Sequence, residues 1–165
     1  MNIVTILAAV FISFLIRDAP ANPEMQDRPM PASDDQMNTR GEHVMGFSQT
    51  ATTHHFLLLD TGGAIQVEAN NPTDKASIDL IRMHLSHITK MFTDGNFDIP
   101  MFVHDTTPPG VPEMRRLKGE IRYSFEETGS GGRIQIVTSN TTALDSVHKF
   151  LRFQIQEHKT GDPVR

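Results

Sequence analysis

The chain contains an internal repeat, and this repeat limits the possible folds more than any other feature. The segment FLLLDTGGAIQVEANNP at 56–72 aligns with FEETGSGGRIQIVTSNT at 125–141 at an offset of 69 residues. After a three-residue adjustment the following stretches align at an offset of 66, so that Leu85 matches Leu151 and Gly95 matches Gly161. Two copies of one structural unit are therefore expected.

Each copy combines a hairpin pattern with a helix pattern. Apolar residues alternate on both sides of a Gly-Gly pair, which is typical of a β-hairpin. The helix pattern then repeats apolar residues at steps of three and four, as in Ile78, Ile81, Leu85, Ile88 and Phe92. One hairpin is marginal alone, whereas two can share a sheet. We predict an α+β fold with a duplicated ββα unit, whose four-stranded antiparallel sheet is covered on one face by two helices.

The rest of the chain divides around this domain. Ile3 to Ile16 is an apolar run of 14 residues followed by Ala19-Pro20-Ala21, shorter than the roughly 17 to 25 residues of a membrane span. We predict a cleaved signal peptide over 1–21 and export to the periplasm or outside the cell, with no membrane span in the mature form; an uncleaved anchor is the alternative. Residues 22–44 read as a disordered tether.

The folded part is then 45–162, with unit one at 52–96, a linker at 97–119 and unit two at 120–162. The linker carries three prolines that interrupt regular structure, although 112–118 could form a short helix with Pro112 near its start. Because a linker of this length inside a domain is often functional, its His104 is a candidate site residue.

Composition excludes several functions. The formal net charge of -5 leaves no electrostatic footprint for nucleic acid. The chain has no cysteine, so disulfides, thiolate nucleophiles and thiolate metal ligands are excluded. Eight His and nine Met remain as borderline or soft ligands. Met25, Met30 and Met37 of the tether could collect Cu(I), although scattered methionines in a disordered arm are the simpler interpretation.

The histidines suggest one metal site. His84 and His87 stand one helical turn apart, where two side chains are neighbours. His54 shares the strand parity of Phe56, so it should face the helices and supply a third imidazole. Such a three-ligand set leaves a position open for His104 as a fourth ligand. We therefore predict that His54, His84, His87 and His104 bind copper or zinc.

Three alternatives stay open. The offset of 66 places Phe150 opposite His84 and Phe153 opposite His87, so that these rings could form the apolar wall of a site for haem or a small molecule. The outer sheet face, with His55 and Leu57, could instead pair two copies as a homodimer or bind another protein. A hydrolytic enzyme is least favoured, because no nucleophile elbow, P-loop or dinucleotide fingerprint is present.

Four stretches carry a resemblance: MGFSQTATTHHFLLLDTGGAIQVEANNP, IRMHLSHITKMF, PPGVP and FLRFQIQEHKTGD. Together they resemble a group of small exported bacterial proteins of unknown function, over residues 45–162. The resemblance implies an exported single domain. It implies no activity.

Overall fold

The computed structural model describes residues 34–165. The predicted signal peptide at 1–21 and the first part of the predicted tether lie outside them. Five helices and four strands occur in the described part: α1 Asp34–Met45, β1 Thr52–Leu59, β2 Gly62–Ala69, α2 Lys75–Thr93, α3 Asp98–His104, α4 Val111–Arg116, β3 Ile121–Glu127, β4 Gly131–Thr138 and α5 Thr141–His158.

The strands form one antiparallel sheet in the order β1-β2-β4-β3. Its central pair, β2 and β4, places Ile65 directly opposite Ile134. These two residues are also equivalent in the repeat, because they are 69 positions apart. A pseudo-twofold axis therefore passes close to this pair, and the predicted α+β class with its four-stranded antiparallel sheet is confirmed.

Each of the two long helices packs mainly on the strands of the other unit. α2, from unit one, packs chiefly against β3 and β4, whereas α5, from unit two, packs against β1 and β2. Each helix thus covers the hairpin of the other unit, and the two apolar faces bury each other. Their core includes Ile81, Leu85, Ile134 and Leu151, all at most 2% exposed.

Side-chain caps begin the two long helices, and residues with a left-handed backbone end them. The Asp74 carboxylate accepts a hydrogen bond from the Ser77 amide at the start of α2, and the Asn140 side chain caps α5 in the same way. α2 closes with Gly95 in the left-handed region at φ 76°. α5 differs, because the residue directly after its last turn, Lys159, already adopts that conformation at φ 51°.

The region between the units is helical over much of its length. Residues 97–119, predicted as a linker, contain α3 and α4, and the predicted short helix near Pro112 is confirmed as Val111–Arg116. Gly110 precedes α4 at φ 89°, and a Cβ there would lie 2.1 Å from the Ser146 carbonyl oxygen. This close approach brings the start of α4 onto α5.

The tether prediction for 22–44 is wrong from Asp34 onward, where the chain forms α1. The sequence of α1 is polar and has little apolar surface of its own, but contacts with the rest of the domain stabilise the helix. Met37 is buried at 6% exposure, and the Arg40 guanidinium donates a hydrogen bond of 2.9 Å to the Val103 carbonyl of α3. No helix within 34–165 has the length and apolar character to cross a bilayer.

Candidate functional site

A cavity of about 90 Å³ lies between the helices and the inner face of the sheet. Most of its wall is apolar, from side chains such as Phe56, Ile65 and Phe150. Its polar and sulfur-bearing wall is more distinctive and consists of Met45, His54, His84, His104, Gln154 and His158. We call these six residues the histidine cluster. Among the residues that line the cavity, none carries a carboxylate.

The imidazole rings of the cluster lie in contact. The His54 and His158 ring centroids are 5.8 Å apart with planes inclined by 8°. The His104 ring meets His158 edge to face at 5.1 Å. His84, on α2, is linked to these rings by Phe47. The Phe47 ring centroid lies 5.7 Å from that of His84 and 6.3 Å from that of His54. Four histidines from four different elements are thus gathered at one end of the domain.

These imidazoles are held neutral. Burial, and to a smaller extent the neighbouring His84, lowers the pKa of His54 to about 4. Burial likewise lowers the pKa of His84 to about 4, with a smaller contribution from His87. For His158, burial and then the proximity of His54 and His104 lower the pKa to about 3. At neutral pH these rings therefore carry free nitrogen lone pairs instead of positive charge.

His104 and Gln154 form the inner end of the cluster. The His104 Nε2 lies 3.0 Å from the Gln154 Oε1, and because an amide oxygen only accepts, the ring donates its Nε2 proton. His104 Nδ1 consequently keeps its lone pair. Both His104 Nδ1 and Gln154 Nε2 are buried without a hydrogen-bond partner among the described residues. A ligand that binds the Nδ1 lone pair, or that accepts a hydrogen bond from Nε2, would offset the cost of burying these atoms.

The structure gathers part of the predicted ligand set. His54, His84 and His104 line the cavity, whereas His87 does not line it and is exposed on α2. His87 lies three residues beyond His84 on α2. Its side chain therefore projects from a different side of the helix, away from the sheet. Among residues 34–165, no three His, Asp or Glu side chains already converge as ligands of one ion.

Sequence reasoning missed Met45, Gln154 and His158 of the cluster, and His158 has the clearest signal in the sequence. It follows Phe150 and Gln154 at steps of four, so the buried stripe of α5 extends one turn further than its apolar residues suggest. Its position in the last turn of α5 would by itself suggest a cation that interacts favourably with the helix dipole. Its lowered pKa and its ring contacts place it in the cluster instead.

Of the two phenylalanines in the predicted apolar wall, only one lines the cavity. Phe150 is 1% exposed and lines the cavity. Phe153 does not line it, but its half-buried ring packs edge to face on His104 at 4.9 Å. Phe150 and Phe153 therefore support the site from two directions, one facing the cavity and one behind His104.

The outer face of the sheet has a partner for His55 within the chain. His55 Nδ1 lies 2.9 Å from the Asp162 carboxylate, and the other oxygen of Asp162 accepts a hydrogen bond of 2.9 Å from the Phe56 amide. The C-terminal tail, residues 159–165, thereby covers part of edge strand β1 and blunts it against pairing with other strands. A homodimer through His55 and Leu57 stays a prediction.

Comparisons with known proteins return no significant similarity: no family model, no curated protein and no solved structure matches the chain.

Proposed function

We propose that this protein is an exported domain that binds one transition-metal ion in the histidine cluster, with copper(I) preferred over zinc. The observation that carries the proposal is the hydrogen bond from His104 Nε2 to Gln154 Oε1, which leaves the buried Nδ1 lone pair unpartnered. Metal-binding histidines characteristically donate their other ring N–H to an oxygen, which fixes the tautomer and the ring orientation.

The donor set favours a soft ion. Metals bind the neutral form of imidazole, and the lowered pKa values of His54, His84 and His158 keep that form available in mildly acidic surroundings. Met45 adds a thioether, which suits Cu(I) better than Zn²⁺. Among the described residues no carboxylate lines the cavity, and the chain has no cysteine, so the two anionic ligand types that many zinc sites use are missing.

The size of the cavity favours an ion over an organic ligand. Its volume of about 90 Å³ is smaller than the ~150 Å³ engineered cavity that accommodates benzene in another protein. A haem is several times larger than benzene, so it would require the helices to separate. A single ion needs far less space, and the rings of His54, His104 and His158 already contact one another at the cavity.

The pseudo-twofold axis supports a specialised role for the cluster. The residues equivalent to His54, His84 and His158 are Tyr123, Phe150 and Phe92, respectively. Phe92 contacts both Tyr123 and Phe150, with centroid distances of 5.7 and 6.0 Å. One end of the domain thus holds aromatic rings where the other holds imidazoles. Because buried imidazoles are costly in desolvation, their placement is expected where function requires them.

The test is metal binding by the full-length mature protein without an affinity tag. We expect about one equivalent of Cu(I) in competition with a coloured chelator, a stoichiometry that follows from the single cluster. The double variant His54→Tyr/His158→Phe copies the aromatic end of the domain, so it should fold and lose binding. His87→Ala, on the same helix as His84 but exposed, is the control and should bind as the parent does. Metal-free parent protein, or equal binding by the double variant, would overturn the proposal.

A further inference from the structure

A polar groove lies on the outer side of the cluster. It has a volume of about 360 Å³, and its walls include Asn38 of α1, Gln49, Thr53 and Thr160, together with His54 and His158. The last two residues also line the inner cavity. Their stacked rings therefore stand between a polar groove and an apolar cavity, and their half-buried state reflects this double position.

Apolar side chains border the histidines on other sides. Phe47, after α1, is 5% exposed and packs against the rings of His54 and His84. Val103 of α3, at 6% exposure, lines another part of the cavity. The exposed His87 borders neither space. Between the cavity and the groove, by contrast, stand two imidazole rings with nitrogens on opposite edges.

We propose that the polar groove is the route by which the metal ion reaches the cavity, and that His54 and His158 pass the ion from one space to the other. This inference rests on the proposed function. A neutral imidazole has one lone pair, and a shift of its proton between Nδ1 and Nε2 moves that lone pair to the opposite edge of the ring. Amide and hydroxyl oxygens in the groove can replace part of the hydration shell before the ion meets nitrogen.

Polar contacts hold the α1 wall of the groove to the segment before β1. Gln49 Nε2 donates a 3.3 Å hydrogen bond to the Asn38 carbonyl oxygen. The Gln49 amide and the Ser48 hydroxyl donate further hydrogen bonds to the Glu42 carboxylate of α1. Gly46, at φ 76°, lies between α1 and that segment and permits the change of direction there.

The experiment blocks the groove without altering the cluster. Asn38→Trp places an indole in the groove, and Thr39→Trp, one residue along α1 and exposed, is the matched control. Cu(I) is supplied as a coloured bicinchoninate complex, and its transfer to the protein is followed by loss of absorbance. We expect Asn38→Trp to slow transfer by about tenfold, with the same slowing of release and little change in Kd, because an obstruction on a route affects both directions alike.

A second variant changes charge instead of shape. Lys159 borders the groove and adopts a left-handed backbone, so Lys159→Asn removes the positive charge and keeps a residue that tolerates this conformation. Transfer from the anionic bicinchoninate complex should become slower at low salt, because Lys159 no longer attracts the complex to the groove, and the difference should vanish at high salt.

The outcomes separate the two proposals. Absence of Cu(I) binding by the parent protein overturns the proposed function itself. Normal binding with unchanged transfer rates in Asn38→Trp and Lys159→Asn overturns the route and leaves the site intact. Slower transfer in His87→Ala, with Asn38→Trp unaffected, would place the route on the exposed side of α2 instead.

Discussion

His54 and His158 belong to different units of the duplication, yet their rings lie 5.8 Å apart and within 8° of parallel. Their equivalents across the pseudo-twofold axis, Tyr123 and Phe92, have almost the same centroid separation of 5.7 Å but meet edge to face. The two ends of the domain therefore share a framework and differ in chemistry. One end is an aromatic core cluster and the other is a set of neutral nitrogen donors.

The first prediction follows from the pKa values of these histidines. The pKa of His54 is about 4 and that of His158 about 3 in the folded protein, against 6.5 when unfolded. Between these values the unfolded chain binds more protons, so the free energy of unfolding is fully retained above about pH 6.5 and falls with decreasing pH, to about pH 4 for His54 and about pH 3 for His158. Each histidine contributes a slope of up to about 1.4 kcal/mol per pH unit.

Urea denaturation of the metal-free protein over this pH range would measure that slope. His54→Tyr/His158→Phe should show a flatter profile, because two of the groups that take up protons on unfolding are gone. His87→Ala should retain the steep profile of the parent. A parent protein equally stable at both ends of the range would contradict neutral burial of the two rings.

The second prediction exchanges residues across the twofold axis. His158→Phe replaces a half-buried imidazole with the ring that occupies the equivalent position, Phe92, at the other end of the domain, and we expect it to raise the free energy of unfolding at neutral pH by about 1 kcal/mol. The reciprocal Phe92→His buries a polar ring among Phe97, Tyr123 and Phe150, and should lower it by at least about 2 kcal/mol. Chemical denaturation of both variants beside the parent would test this asymmetry, and similar losses in the two variants would contradict it.

The architecture could be predicted from the sequence because the repeat contains the same ββα pattern twice. The Gly-Gly turns, the period-two alternation and the stripe from Ile78 to Phe92 each appear in related positions of the chain. The central register also follows the repeat, since the equivalent residues Ile65 and Ile134 face each other in the sheet. Local patterns of this kind depend on neighbouring residues and survive without knowledge of the tertiary fold.

The site was harder to predict because it depends on how the units cross. A strand histidine was assigned to the helix of its own unit, which led to His84 and His87. In the structure α5 covers β1, so His158 from the other unit stacks on His54. α1 was missed for a related reason: its polar sequence has no clear apolar period, and its stability comes from contacts such as that of Arg40 with Val103.

The third prediction concerns the C-terminal tail. Burial alone would raise the pKa of the Asp162 carboxyl, but hydrogen bonds from Thr160, the Phe56 amide and His55 outweigh burial and lower it. Asp162→Ala removes these bonds, so we expect the free energy of unfolding to fall by about 1 to 3 kcal/mol. The Phe56 amide should also lose its protection from hydrogen exchange, because β1 is an edge strand and this N–H points away from β2.

Hydrogen exchange resolved by residue would distinguish this local effect from general destabilisation. Asp60→Ala, in the exposed turn between β1 and β2, serves as the control and should leave the Phe56 amide protected. If Asp162→Ala kept that protection, the tail would not secure β1 in solution.

The last prediction tests the choice of ion through Met45. Met45→Leu preserves volume and apolar character, so the fold should be nearly unaffected, at a cost below about 1.5 kcal/mol. Cu(I) should lose a thioether ligand, and its affinity should fall by about tenfold or more, whereas Zn²⁺, which seldom uses methionine, should bind the variant and the parent alike. Competition titrations with each ion would measure both affinities. Met83→Leu, at a methionine 65% exposed on α2 and outside the cavity, controls for the general effect of losing a sulfur atom; equal losses of Cu(I) affinity in the two variants would exclude Met45 as a ligand.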